Sequence, residues 1–219
     1  MKLPKKTLLI LGATGQVGEQ LLRLSMDHEG ISRVVAPTRR PLRRNAKLEN
    51  PIIDFENFPK ESPWWKADLA LCALGTTLKR AGSKEAFSRV DHDYVLRAAE
   101  STHSAGTPTF GMVSSLGAAA DSRTFYFKVK GETERDLAKL GFPSLTIARP
   151  SLLIGEPRSS ARPLEALGLF MGRHFGALLP KRYRPVTTTQ VARALLQAGL
   201  LAEPGIRTLE SEDLLSANF

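Results

Sequence analysis

The stretch that decides the fold is "TLLILGATGQVGEQLLRL", residues 7–24. It begins as a continuous apolar run, which is typical of a buried parallel strand, and it continues after the turn as a helix. Gly12, Gly15 and Gly18 lie at this turn. Glycines there allow a tight backbone path and the close approach of a pyrophosphate, whose charge is met by free amides and by the positive end of the helix dipole. The stretch therefore predicts a dinucleotide site.

The spacing Gly-x-x-Gly-x-x-Gly departs from the dinucleotide fingerprint Gly-x-Gly-x-x-Gly, because its first glycine lies one position further out. An ordinary glycine-rich turn is the alternative interpretation. The loop also lacks the Gly-Lys-Ser/Thr ending of a P-loop, which disfavours a nucleotide triphosphatase.

Further along the chain, short apolar runs alternate with longer amphipathic ones. The strand-like runs cover residues 33–38, 51–55, 67–74, 109–115 and 144–150, with a last edge strand expected at "IRTLES". The main helical stretches cover residues 83–105 and 125–140. Such alternation predicts the α/β class, as a Rossmann-type doubly wound parallel sheet with helices on both faces. We expect one domain over residues 1–219, in which 151–219 form a small appendage on the substrate side.

Composition narrows the function classes. The net charge of +9 is scattered apart from segments such as "TRRPLRRNAK" (38–47), without interleaved aromatic residues, so no nucleic-acid partner is expected. Cys72 is the only cysteine, which excludes an internal disulfide, and the four histidines do not cluster, so no metal site is expected. No apolar run approaches the roughly 20 residues of a membrane span. We therefore expect a cytoplasmic protein without a membrane span.

The end of the second strand indicates which dinucleotide binds. An NAD site expects an acidic residue about 20 residues past the glycine loop, to bond the ribose hydroxyls. The segment "RVVAPTRRP" offers Arg39 and Arg40 instead. Guanidinium groups pair well with a phosphate, so this strand end favours the 2′-phosphate of NADP(H). A solvated basic loop is the alternative.

Other candidates follow the remaining strands, because ligands of doubly wound sheets lie at the carboxyl ends of the strands. Asp54 is a candidate acceptor for the adenine amino group, with an exposed turn carboxylate as the alternative. Gly75 would let the backbone pass close to the cofactor. Ser114 or Ser115 would bond the substrate oxygen.

Tyr126 and Lys130, in "FYFKVKG" (125–131), fall in the helix after the strand that ends in "VSS". Residues four apart share one helix face. A hydride transfer to a carbonyl carbon requires a proton for the oxygen, and a tyrosine supplies it at neutral pH when a nearby cation stabilises its phenolate. The pair therefore predicts a proton donor and its partner. Asp91 and Asp93 do not face one another on their predicted helix, which disfavours a carboxylate pair.

Together "GATGQVG", "VSS", "YFKVK" and "ARPSLLIG" resemble the short-chain dehydrogenase/reductase superfamily, in its atypical or extended-like branch. The segments "DFENF", "CALGTTLKRAG", "FSRVDHDYVLRAAE" and "YFKVKGETE" are similar to the NADPH-binding group around the mammalian HIV Tat-interacting protein and its bacterial homologues. The resemblance covers residues 7–200, and the ordered set of motifs is far more specific than the glycine loop alone.

The resemblance implies roles for individual residues. The diphosphate would be contacted by Thr14, Gly15, Gln16 and Val17, within the loop of Gly12 and Gly18. The other cofactor contacts would be Arg39, Arg40, Leu74, Gly75, Tyr126, Lys130, Leu153 and Arg162. Asp54 is a further candidate, from its place after the third predicted strand. Ser115 matches the catalytic serine, with Ser114 as the alternative, and Tyr126 and Lys130 complete that set.

The implied function is an NADP(H)-dependent oxidoreductase acting on a small carbonyl or quinone-like compound. One alternative is an NADPH-sensing regulatory protein with little turnover, which would act through a protein partner. A nucleotide-sugar epimerase or dehydratase is a third, disfavoured by Arg39 and Arg40 and by the roughly 69 residues after Pro150. The partners expected are a small-molecule substrate and either a protein partner or a second copy in a homodimer.

Overall fold

The computed structural model describes residues 4–155 and 180–216. Its centre is a seven-stranded sheet in the order β3-β2-β1-β4-β5-β6-β9, in which every neighbouring pair is parallel. These strands are β1 Lys6–Leu11, β2 Ile31–Val35, β3 Leu48–Glu49, β4 Leu69–Cys72, β5 Thr109–Val113, β6 Ser144–Arg149 and β9 Gly205–Glu210. A separate parallel pair consists of β7 Leu153–Ile154 and β8 Val186–Thr187. This order confirms the predicted Rossmann-type, doubly wound fold.

Helices cover both faces of the sheet. They are α1 Gln16–Asp27, α2 Leu78–Ala81, α3 Lys84–Ser88, α4 Tyr94–Ser104, α5 Phe125–Ala138, α6 Thr188–Leu201 and α7 Ser211–Ser216. A π-helical turn, Arg89–Asp93, joins α3 to α4, and 3₁₀ turns lie at Pro63–Trp65 and Lys181–Tyr183. In this described part of the chain, no helix is long and apolar enough to cross a membrane.

Strand β1 shows how the two faces are filled. Leu8 and Ile10 belong to the core on the side of α1 and α6, together with Leu195. Leu9 belongs to the core on the side of α4 and α5, together with Val95. Successive side chains of a strand point to opposite faces, so a strand covered on both sides must be apolar at every position.

The third strand lies earlier than predicted, so the assignment of residues 51–55 to a strand was wrong. Strand β3 pairs with β2 at Leu48 and Glu49, and of residues 51–55 only Ile52 forms an isolated bridge, with Thr38. Pro51 has no backbone N–H to donate. Three residues later the Asp54 carboxylate accepts a bond from the Glu56 N–H, which turns the chain away from the sheet.

The described part of the predicted appendage joins the main sheet. Strand β9 pairs with β6 along its whole length, from Gly205 beside Ser144 to Glu210 beside Arg149. Helix α6 begins with a capping box between Thr187 and Gln190 and packs against α1 and the sheet. Residues 180–216 thus supply the seventh strand and a covering helix.

Candidate functional site

A cleft of about 430 Å³ opens between the carboxyl ends of β1 and β4, where the strand order reverses. Ligands of open α/β sheets bind at such a topological switch point. The predicted cofactor residues that line the cleft are Gly12, Thr14, Gly15, Arg39, Asp54, Leu74 and Gly75. The fold therefore brings these sequence-predicted residues together at one site.

The glycine loop packs tightly against the turn after β4. Gly12 has φ +82°, and a Cβ there would lie 2.7 Å from the backbone of Ala73. A Cβ on Gly18 would lie 2.0 Å from the Gly12 carbonyl oxygen. The Gly15 N–H donates to the same oxygen at 2.9 Å. Gly12 and Gly18 therefore have no room for a side chain. This close packing places the loop before α1 at the edge of the cleft.

The first turn of α1 presents backbone amides, because the first N–H groups of a helix have no partner within it. The side chain of Val17 is buried in the core, so this residue can meet a ligand only through its backbone. Gln16 is exposed, and its amide lies close enough to Gly155 that a Cβ there would be 2.7 Å from the Gln16 Nε2. Leu153, which lies in β7 two residues before Gly155, is half-buried. Arg162 lies outside the described residues.

A polar network shapes the end of β2. The Asn50 amide donates to the Ala36 carbonyl at 2.6 Å and to the Thr38 hydroxyl oxygen at 2.8 Å, and this hydroxyl donates to the Arg40 carbonyl at 2.6 Å. Arg39 and Arg40 are both exposed, but only Arg39 lines the cleft. The contact of either with a 2′-phosphate stays a prediction.

Arg80 also lines the cleft and is not among the residues predicted from the sequence. It lies on the four-residue helix α2. Thr77 caps the start of this helix through its hydroxyl, and Gly82, with φ +84°, caps its end. The pattern Thr-x-x-Arg-x-Gly in "TLKRAG" contained both helix signals. What this pattern could not show is that Arg80 and Arg39 line the same cleft.

Two turn carboxylates, Asp54 and Glu56, line another part of the cleft. Both oxygens of Asp54 accept bonds, from the Glu56 N–H at 3.0 Å and from the Asn57 amide at 2.8 Å, and these bonds lower the pKa of Asp54. Tyr94 donates its hydroxyl to Glu56. Burial, together with this bond, raises the pKa of Tyr94 to about 12. An adenine contact by Asp54 stays a prediction.

Tyr126 and Lys130 share one face of α5 as predicted. Tyr126 is half-buried against Phe87, with ring centroids 5.5 Å apart. Lys130 is buried, and a Cβ on Gly75 would lie 3.7 Å from its Nζ, so the ammonium group sits directly behind the cleft lining. The Lys130 Nζ also lies 2.8 Å from the Asp91 Oδ1, a partner that the sequence did not predict.

The two serines at the end of β5 have different surroundings. Ser114 is buried and donates its hydroxyl to Glu134, which also accepts bonds from the Arg149 guanidinium. Ser115 is half-buried, and its hydroxyl makes only a long bond of 3.3 Å, to the Leu116 carbonyl. Ser114 is thus committed to an ion-pair network, whereas the hydroxyl of Ser115 can turn to a ligand.

Close packing at Gly131 sets the position of α5. A Cβ on this residue would lie 2.2 Å from the Ala119 carbonyl carbon and 2.3 Å from the Ala120 nitrogen. The helix therefore lies directly on the loop that follows β5 and its two serines. Ser115 and Tyr126 are not among the residues that line the cleft, and Gly75 is the point at which Lys130 meets it.

No family model matches the chain. The rat protein HTATIP2 (Rattus norvegicus) is 35% identical over 219 residues, which covers 95% of this chain and 86% of that protein. The mitochondrial protein FMP52 of Candida albicans is 32% identical over 204 residues, which covers 90% of this chain and 88% of that protein.

Among solved structures, MoeE5 in complex with UDP-glucose and NAD superposes with a TM-score of 0.69. The superposition covers 93% of this chain and 75% of MoeE5. At 19% identity, this likeness shows the fold alone.

Proposed function

The chain belongs to the family of HTATIP2 and FMP52, within the short-chain dehydrogenase/reductase superfamily, and from this premise we propose that it is an NADP(H)-dependent oxidoreductase. Its substrate is a small carbonyl or quinone-like compound. The observation that carries the proposal is the position of Lys130, behind Gly75 on the wall of the cleft, with Tyr126 one turn earlier on the same helix face. MoeE5, which shares the fold, was solved with NAD.

The cofactor half of the proposal rests on the cleft. Free amides at the start of α1 bind the diphosphate, in line with the helix dipole. Arg39 pairs with the 2′-phosphate, assisted by Arg40, and Arg80 adds positive charge to the same cleft. Leu74 and Gly75 would pass beside the ribose. Leu153 and Arg162 are further candidate contacts, which the resemblance to the superfamily implies.

The chemical half rests on α5 and the end of β5. NADPH, when bound, supplies the hydride. Tyr126 donates the proton to the substrate oxygen, and Ser115 holds that oxygen with its hydroxyl. Lys130 stays protonated beside Tyr126 and stabilises the phenolate that proton transfer leaves behind.

Turnover separates this function from the sensor alternative. NADPH oxidation would be followed with a panel of small aldehydes, ketones and quinones, with NADH in place of NADPH as the control. We expect at least one compound to be reduced with a kcat on the order of 1 s⁻¹, and much faster with NADPH. Tight NADPH binding without turnover of any panel compound would instead favour an NADPH-sensing regulatory protein.

Location and assembly belong to the proposal as well. We expect the protein in the cytoplasm, although the FMP52 relatives are named mitochondrial. A second copy or a protein partner is also expected. Fractionation of the cells that express the protein measures its location, and equilibrium sedimentation of the purified protein measures its assembly.

A further inference from the structure

Asp91 is a fully buried carboxylate that the proposed mechanism does not use. It lies in the π-helical turn Arg89–Asp93, which interrupts the helical path between α3 and α4. Single π-helical turns of this kind occur often at functional sites. The turn packs against α5, and it places the Asp91 Oδ1 2.8 Å from the Lys130 Nζ.

Asp91 is held from two further directions. Its Oδ2 accepts a bond of 2.8 Å from the Thr76 N–H, in the segment that follows β4. Its backbone carbonyl accepts a bond of 3.0 Å from the Thr133 hydroxyl on α5. A Cβ on Gly75 would lie 3.3 Å from the Asp91 Oδ1. The carboxylate therefore has a defined position directly behind the cleft.

The groups that face Lys130 are Asp91 from the π-helical turn, Cys72 from β4 and Tyr126 from its own helix. Burial raises the pKa of the Cys72 thiol to about 12, so this group is neutral at physiological pH. Burial by itself would lower the pKa of Lys130, but the nearby Asp91 and Tyr126 outweigh it, and the pKa is raised. Asp91 is thus the counter-ion that allows a buried ammonium group at this place.

We infer that Asp91 is a positioning residue, which keeps Lys130 charged and fixed behind Gly75 so that its ammonium group can serve Tyr126. Asp91 is not among the residues that line the cleft, and it acts through Lys130. The inference rests on the proposed function for its catalytic meaning. Its electrostatic part concerns only this buried pair and can be tested without any substrate.

The test uses Asp91→Asn, which keeps the side-chain shape and removes the charge. Asp93→Asn is the matched control, because this aspartate lies two residues away and bonds the half-buried His92 at 2.9 Å. With lysine labelled at ¹³Cε, the protonation of Lys130 is followed by NMR, and its signal is assigned by its loss in Lys130→Met. We expect the protonation midpoint of Lys130 to fall by at least about one pH unit in Asp91→Asn and to stay unchanged in Asp93→Asn.

The second readout is the pH dependence of kcat with a panel substrate. If Lys130 must be charged, the decline of kcat at alkaline pH begins at least about one pH unit lower in Asp91→Asn than in the wild type. A merely structural role would lower stability or kcat at every pH, without moving this decline. An unchanged midpoint, or a lowered midpoint without a shift in the pH profile, overturns the inference.

An uncompensated buried charge can prevent folding, so Asp91→Ser is the second variant. Its smaller side chain leaves room for water to solvate the ammonium group, and the same two shifts are expected. A wild type without turnover would contradict the proposed function instead. In that case the NMR titration still decides whether Asp91 keeps Lys130 charged.

Discussion

Replacing Tyr126 with phenylalanine is expected to lower kcat by about 100-fold or more, while the affinity for NADPH stays within about threefold of the wild type. The variant keeps the ring that packs against Phe87 and Phe127 and removes only the hydroxyl that donates the proton. General acids contribute about 10²- to 10⁴-fold to enzymatic rates, which sets the size of the effect. Steady-state kinetics on the best panel substrate, together with an NADPH titration, measure both quantities.

Tyr183→Phe is the matched control for this prediction. The side chain of Tyr183 is 55% exposed and lies in the 3₁₀ turn before β8, so the same chemical change there should leave kcat unaltered. Full reductase activity in Tyr126→Phe would show that another group supplies the proton. Equal losses in both variants would show that the effect does not arise at the site.

The second large effect is expected from Gly18→Ala. Its Cβ would lie 2.0 Å from the Gly12 oxygen and 2.9 Å from the Ala13 Cα, and both atoms belong to backbone that is packed against the turn after β4. The strand, the loop and α1 must therefore separate to admit a methyl group. We expect a loss of about 3 kcal/mol in the free energy of unfolding, which lowers Tm by roughly 6–12 °C.

Gly15→Ala separates this packing effect from cofactor binding. A Cβ on Gly15 would lie 3.3 Å from the Gly12 oxygen, a contact that a small backbone shift relieves, but Gly15 lines the cleft. Its Tm should stay near that of the wild type, while its NADPH affinity falls. Thermal unfolding, followed by circular dichroism, measures the Tm of each variant. A Gly18→Ala protein that melts like the wild type would contradict the geometry of the loop.

The sequence predicted best what short segments determine. The glycine loop needs a strand, three glycines and a helix in succession, and all of these are visible in residues 7–24. The helix face shared by Tyr126 and Lys130 follows from their spacing alone. The third strand was placed wrongly because "PIIDF" is as apolar as a strand, while a two-residue strand at 48–49 leaves almost no pattern.

Contacts between distant segments could not be predicted in this way. The pairing of Asp91 with Lys130 joins residues 39 positions apart and depends on a π-helical turn, whose pattern resembles that of an ordinary helix. Similarly, both serines of "VSS" lie at the end of the same strand, so the sequence does not show which of them is free to bind a substrate. The structure separates them, because Ser114 is already bonded to Glu134 whereas Ser115 makes only a long bond to the Leu116 carbonyl.

The most direct measurement is a calorimetric titration of the wild type with NADPH and with NADH, alongside Arg39→Ala and Arg40→Ala. A charged hydrogen bond to the 2′-phosphate contributes about 1.5–3 kcal/mol, so NADPH should bind the wild type roughly 10- to 100-fold more tightly than NADH. Arg39→Ala should lose most of this preference, and Arg40→Ala, whose side chain lies outside the cleft lining, should lose less. Equal affinity for the two cofactors, or binding of neither, would contradict the central claim that this cleft is an NADP(H) site.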